Sequence, residues 1–218
     1  MLEAEINLNK MNAQLKKGNW KGYFSSSSFH GELFNKNLGI LGYGHIGKEI
    51  AKRAKAFNMN ISCVVRNIDK YKSNKYINFL SIKNIKKDIN KFDYLIIACP
   101  LNDETKNLIN FNLMKNMNKN SVIINIARGP IINEADLYKV LKNKLIRAAV
   151  IDVWYNYPKN SVTKKLYPSK YPLHKLDNIT FSPHSSAWSS QLWDRRFKFV
   201  CENLENLYNN KRIKNVVS

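Results

Sequence analysis

The run Leu38-Gly39-Ile40-Leu41-Gly42-Tyr43-Gly44-His45-Ile46-Gly47 decides how this 218-residue chain is read. An apolar stretch suited to a buried strand feeds a Gly-x-Gly-x-x-Gly turn, and helical periodicity begins at once. Without Cβ atoms at Gly42, Gly44 and Gly47 the chain can bend tightly and bring its backbone against a pyrophosphate. The free N–H groups of the following helix then face the phosphate oxygens. Glycine spacing alone is a weak signal, and the flanking elements give it weight. Past the turn, Ile46, Ile50, Ala51, Ala54 and Phe57 mark one helical face, while Lys48, Glu49, Lys52, Arg53 and Lys55 mark the other. Asn58 suits a left-handed cap, and residues 60–65 read as a buried strand. Strand, turn, helix and strand in that order predict a dinucleotide site.

Composition sets the bounds. A hydrophobic content of 44% with 24% charged residues fits a globular chain long enough to bury a core. No window approaches the roughly 18 apolar residues of a membrane span, and the first ten residues hold two glutamates instead of a basic start and apolar middle. A cytoplasmic protein without membrane contact is the expectation. Three cysteines, Cys63, Cys99 and Cys201, lie far apart with no Cys-x-x-Cys pair, which argues against disulfides and zinc. His30, His45 and His174 are expected in loops without ligand spacing, so no metal site is expected. The net charge of +20 raises nucleic acid as a partner. The lysines, however, are spread along the whole chain among asparagines and isoleucines, so the charge reads as compositional bias. It would still draw phosphorylated cofactors and anionic acids.

Outward from the glycine turn, residues 3–17 read as one helix with Ile6, Leu8, Met11 and Leu15 as its apolar positions, ended by Gly18. The serine run at residues 25–28 reads as a surface loop. Strands are expected at residues 77–80, 93–98, 121–126, 148–151 and 179–182. Helices are expected at 81–90, 105–117, 133–141 and 186–208. In the last, Leu192, Phe199, Leu204 and Leu207 supply much of the apolar face. Residues 153–176 break the pattern with tyrosines and prolines. Alternation of this kind predicts a doubly wound parallel α/β sheet of Rossmann type with flanking helices.

In such sheets ligands bind beyond the carboxyl ends of the strands. Gly42 to Gly47, Arg66, Cys99-Pro100, Arg128, Asp152 and His184 all follow expected strands and so gather along one edge. Arg66 occupies the region where an acidic residue would bind the ribose of NAD, and arginine suits a 2′-phosphate, so NADP is preferred over NAD. Arg128 can grip a carboxylate through two hydrogen bonds, or serve in a structural ion pair. His184 can donate or accept a proton near neutral pH, or be an ordinary structural histidine.

Together these motifs resemble the D-isomer-specific 2-hydroxyacid dehydrogenase family, specifically its nucleotide-binding domain. The matching blocks are Gly42 to Gly47, Cys99-Pro100-Leu101 with Thr105 and Leu108-Ile109, Asn125-Ile126-Ala127-Arg128-Gly129, Ala149 to Val153 with Pro158, Ser182-Pro183-His184, and Asn215-Val216. The resemblance implies that Arg128 orients the carboxylate and carbonyl of a small 2-oxo or 2-hydroxy acid. It also implies that His184 passes a proton to or from the substrate oxygen while a nicotinamide carries the hydride. By the same resemblance Asp152 holds the nicotinamide amide, and His45, Ile46, Cys99 and Pro100 line the cofactor. The expected division is a linking helix and loop at 1–32, a dinucleotide-binding domain at 33–184, and a C-terminal helix and tail at 185–218.

Two departures stand out. Family members usually carry a glutamate five residues after the aspartate matched to Asp152, where it supports the histidine. Here that position is Tyr157, which can hydrogen-bond to His184 but brings no charge. The run from Asp152 to Pro158 also looks like the formate dehydrogenase branch, though the rest of the chain is closer to hydroxyacid reductases. The family further places a substrate half-domain ahead of the helix matched to residues 3–17, and this sequence starts at that helix. The expectations are therefore a truncated or impaired reductase, acting as a homodimer or with a missing half-domain partner, or else a non-catalytic NAD(P)-binding interaction or sensor protein.

Overall fold

The computed structural model describes residues 1–20, 30–160 and 165–216; the serine run lies outside them. Seven strands form one sheet: β1 (Asn37–Leu41), β2 (Asn60–Val65), β3 (Ile77–Ser81), β4 (Tyr94–Ile97), β5 (Val122–Asn125), β6 (Ala148–Ile151) and β7 (Ile179–Phe181). Their order is β3-β2-β1-β4-β5-β6-β7, with every neighbouring pair parallel. The order reverses at β1, which pairs with β2 on one side and β4 on the other. That is the doubly wound arrangement, and the chain crosses over between strands through α3 (His45–Ala56), α4 (Ile85–Asp88), α5 (Phe111–Met114) and α6 (Glu134–Lys142).

Burial explains why the strands form. All four residues of β4 and of β5 are buried, as expected of β-rich runs in a sheet covered on both faces. Two apolar cores result. One joins Leu95, Ile97, Ile123 and Ile151 to Leu137, Val140 and Leu141 of α6. The other joins Leu38, Ile40, Ile61, Cys63, Tyr94 and Ile96 to Ala51 and Ala54 of α3. Each large aliphatic side chain so buried contributes about 1.5–3 kcal/mol.

Several expectations are corrected. The first helix is two: α1 (Leu2–Ile6) and α2 (Leu8–Leu15), broken at Asn7, whose φ of 55° is left-handed. Short polar asparagine tolerates that conformation, and apolar periodicity does not register it. In α3 the buried residues are Gly47, Ala51 and Ala54, whereas Ile46 and Phe57 are exposed. His45 is the first residue of that helix, and His174 stacks on Tyr167 within a short 3-10 turn, so neither lies in a plain loop. Residues 105–109 form turns instead of helix: the Thr105 hydroxyl donates to the Pro100 carbonyl at 2.7 Å, Asn107 is left-handed at φ 53°, and Ile109 bridges to Ile132. Helix resumes only in α5, where the Asn110 side chain accepts the Leu113 N–H at 3.1 Å.

The chain divides into two compact units, Met1–Ser182 and Pro183–Ser218. The second holds α7 (Leu192–Tyr208), six residues shorter at its start than the sequence pattern suggests because residues 186–191 form turns. Its tail folds back on the helix, where the Asn203 amide side chain accepts the Lys214 N–H at 2.9 Å and donates to the Lys214 carbonyl at 3.2 Å. No residue of α7 is buried; beyond the expected Leu204 and Leu207, Trp193, Phe197 and Val200 are exposed.

Candidate functional site

The glycine turn sits at the carboxyl end of β1, at the reversal of strand order. Gly42 adopts φ 101°, a conformation open to glycine and costly for other residues. A Cβ on Gly47 would lie 2.2 Å from the Gly42 carbonyl oxygen, so turn and helix can close only without one. A Cβ on Gly44 would meet nothing within 4 Å, and Gly44, His45 and Ile46 are all exposed. Gly44 caps α3 without a side-chain hydrogen bond, leaving the first helical turn uncapped by any side chain. An open backbone cradle at the positive end of a 12-residue helix fits a pyrophosphate.

Arg66 directly follows β2 and is exposed, with Nη1 3.4 Å from Glu104 Oε2. So exposed a pair contributes little to stability, and the guanidinium can exchange partners. Cys99 and Pro100 lie just past β4. The Cys99 thiol is pushed up to about 11, chiefly by burial and against an opposing backbone hydrogen bond, so it stays a thiol at neutral pH.

The second half of the edge is built from the ends of β5, β6 and β7. Past β5, the Asn125 amide donates to the Arg128 carbonyl at 2.9 Å and its oxygen accepts the Ala127 N–H at 3.1 Å. This short loop presents the Arg128 guanidinium to solvent, with Nη1 donating to the Ala127 carbonyl at 2.6 Å. Gly129 seats the loop against Trp154: a Cβ there would fall 2.3 Å from the Trp154 carbonyl oxygen. Past β6, Asp152 is buried to 6% exposure and accepts the Ser182 hydroxyl at 2.5 Å. The Trp154 indole N–H donates to the Ser182 carbonyl at 2.7 Å, and its ring stacks on Phe181 with centroids 4.6 Å apart. The Tyr157 hydroxyl accepts the Trp154 backbone N–H at 3.0 Å.

Within the first unit, then, the sequence-predicted Gly42, Gly44, His45, Ile46, Gly47, Arg66, Cys99, Pro100, Arg128 and Asp152 follow the carboxyl ends of successive strands. Tyr157 lies in the segment after β6. His184 falls in the second unit, with a left-handed φ of 58°. Motif reading missed Asn125, Trp154, Ser182 and Glu104. Asn125 and Ser182 lie inside the quoted family blocks, but their hydrogen bonds reach across strand ends that only the folded sheet brings together. At the opposite ends of the strands a groove of ≈ 510 Å³ is lined by residues that precede β5, β6 and β7, among them Lys119, Arg147 and Asp177, together with Glu5 of α1. It lies away from the glycine turn.

Sheet order, glycine turn and strand-end residues define a dinucleotide-binding domain of the Rossmann class. The model of the D-isomer specific 2-hydroxyacid dehydrogenase NAD binding domain matches residues 1–186, and the chain belongs to that family. Among its relatives, a D-3-phosphoglycerate dehydrogenase of Methanocaldococcus jannaschii is 33% identical over 223 aligned residues, covering 100% of this chain and 39% of that protein. A glyoxylate reductase of Pyrococcus horikoshii is 35% identical over 173 residues, covering 79% of this chain and 48% of the other. A solved acyclic imino acid reductase in complex with NADPH and D-Arg superposes with a TM-score of 0.79 at 25% identity, covering 99% of this chain and 64% of that one. The chain thus spans less than two thirds of each. NAD and NADP both occur with structural neighbours, and the family's domain binds this cofactor class. Among the described residues no helix is long and apolar enough to cross a membrane.

Proposed function

We propose that this chain is the nucleotide-binding part of a reductase that moves hydride between NAD(P)H and a small 2-oxo or 2-hydroxy acid. The observation that carries the reading is the exposed Arg128 guanidinium on a loop pinned by Asn125, at the same sheet edge as an uncapped glycine cradle. Gly42 to Gly47 bind the pyrophosphate, His45, Ile46, Cys99 and Pro100 line the cofactor, and Asp152 receives the nicotinamide amide. Arg128 pairs with the substrate carboxylate and turns its carbonyl toward the nicotinamide. When bound, the cofactor supplies the hydride to the carbonyl carbon. His184 gives a proton to the carbonyl oxygen, so that 2-oxo acid, NAD(P)H and a proton become 2-hydroxy acid and NAD(P)⁺. Arg66 favours NADP through its charge on a 2′-phosphate.

The remaining surface of the substrate comes from a half-domain supplied in the same protein or by a partner, with a homodimer as the assembled form and the cytoplasm as its location. Residues 1–32 link, 33–184 bind the cofactor, and 185–218 return toward that half-domain. Oxidation of NADPH and NADH is measured against glyoxylate, hydroxypyruvate and longer 2-oxo acids. Turnover that vanishes in His184→Ala supports the proposal. Cofactor binding by calorimetry with no turnover above that control favours the non-catalytic sensor, and no binding at all defeats both. Tyr157 gives a sharper test: Tyr157→Glu is expected to raise activity and extend its alkaline limit, and no change refutes the lost-carboxylate account.

A further inference from the structure

We infer that Ser182 is a positioning residue for the cofactor's nicotinamide end, acting through Asp152. This rests on the reading of Asp152 given above and extends it to residues outside the motif's assigned roles. Ser182 directly follows β7, and its backbone N–H continues the sheet by donating to the Ile151 carbonyl at 2.9 Å. Its hydroxyl donates to Asp152 Oδ1 at 2.5 Å, within the short range of bonds to an ionised carboxylate. Its carbonyl accepts the Trp154 indole N–H at 2.7 Å. Ser182 is therefore held at three atoms by β6 and the three-residue extension beyond it.

Trp154 is itself fixed. It is 5% exposed, stacks on Phe181, donates its backbone N–H to the Tyr157 hydroxyl oxygen and packs its carbonyl against Gly129. An aspartate has two side-chain torsions, and a carboxylate that must meet an amide group in one plane loses binding strength if it rotates. The Ser182 hydroxyl fixes one oxygen and with it the plane. The hydroxyl matters here, since alanine removes one donor from a buried carboxylate and threonine keeps it.

The test compares ligands that share one end. Dissociation constants of NADP⁺, NAD⁺ and ADP-ribose are measured by calorimetry on the 218-residue chain and on Ser182→Ala, Ser182→Thr and Trp154→Phe, with thermal melts as a folding check. ADP-ribose keeps the adenosine and pyrophosphate but lacks the nicotinamide. Ser182→Ala is expected to weaken both dinucleotides about fivefold or more while leaving ADP-ribose within about twofold, and Ser182→Thr to restore them. Trp154→Phe keeps an aromatic ring and removes the N–H, and is expected to give a smaller loss with the same selectivity, a result that serves even if Ser182→Ala fails to fold. Dinucleotide affinity unchanged in Ser182→Ala and Trp154→Phe, parallel loss of ADP-ribose, or no rescue by threonine overturns the assignment. If the unsubstituted chain binds neither dinucleotide nor ADP-ribose, the cofactor reading itself fails and takes this one with it.

Discussion

Gly47 tolerates no side chain, because its missing Cβ is where the Gly42 carbonyl oxygen passes. Gly47→Ala must push helix and turn apart, and the expected result is at least a tenfold loss of dinucleotide affinity with destabilisation of about 1–3 kcal/mol, read by calorimetry and urea unfolding. Arg66 makes a separate claim about cofactor choice. Arg66→Gln is expected to weaken NADP(H) about tenfold and leave NAD(H) within about twofold, since only the former loses a charged partner. Equal losses for the two cofactors would remove Arg66 from the selection. One buried and one half-buried thiol give a pH dependence. Burial raises Cys63 from 9.0 to about 12 and is the larger influence in raising Cys99 to about 11. Above about pH 9 the unfolded chain gives up thiol protons that the folded chain keeps, so stability falls as pH rises through that window. Cys63→Val with Cys99→Ala should flatten the fall in melting temperature between pH 9 and 11, beside the unsubstituted chain. At this scale the order of elements in the sequence was enough to place Arg128 just past the end of β5. It hid the Ser182 and Trp154 hydrogen bonds, which join strand ends some thirty residues apart.

At the scale of elements, the strands were legible because their apolar runs are continuous, as in Tyr94–Ile97. Helices were less so. The periodic signal in residues 105–117 counted Leu108 and Ile109 as helical, whereas Thr105 folds the segment into turns through its own hydroxyl and Ile109 bridges to Ile132. Helices α1 and α2 bury no residue, so hydrophobic packing alone does not fix α1. A forked ion pair does: Arg147, just before β6, donates to Glu5 Oε1 at 2.6 Å, to Oε2 at 3.1 Å and to the Ala4 carbonyl at 3.0 Å. The Glu5 side chain is only 6% exposed against 33% for Arg147. Removing the carboxylate strands a partly buried cation, and Glu5→Ala is expected to cost about 2–3 kcal/mol in urea unfolding. The same substitution leaves dinucleotide affinity unchanged, because this pair lies at the opposite end of the strands from the cradle.

On the scale of the whole molecule, charge and exposed apolar surface are the dominant facts. A net charge of +20 predicts that association with anionic cofactors slows as salt rises, which stopped-flow measurement at several ionic strengths will read. Phe197→Ser with Leu204→Ser is expected to lower binding of an apolar dye, because both side chains are exposed on α7. The central place of β1 has a temporal consequence. Its buried Leu38, Ile40 and Leu41 need both neighbours, yet β2 follows it closely whereas β4 comes only after the whole β2–β3 stretch. During synthesis, at ~5–20 residues per second, β1 through β3 therefore emerge with one apolar edge open for seconds until Tyr94–Ile97 closes it. The seam between β1 and β4 is thus the point at which a nascent chain is most exposed to wrong pairing.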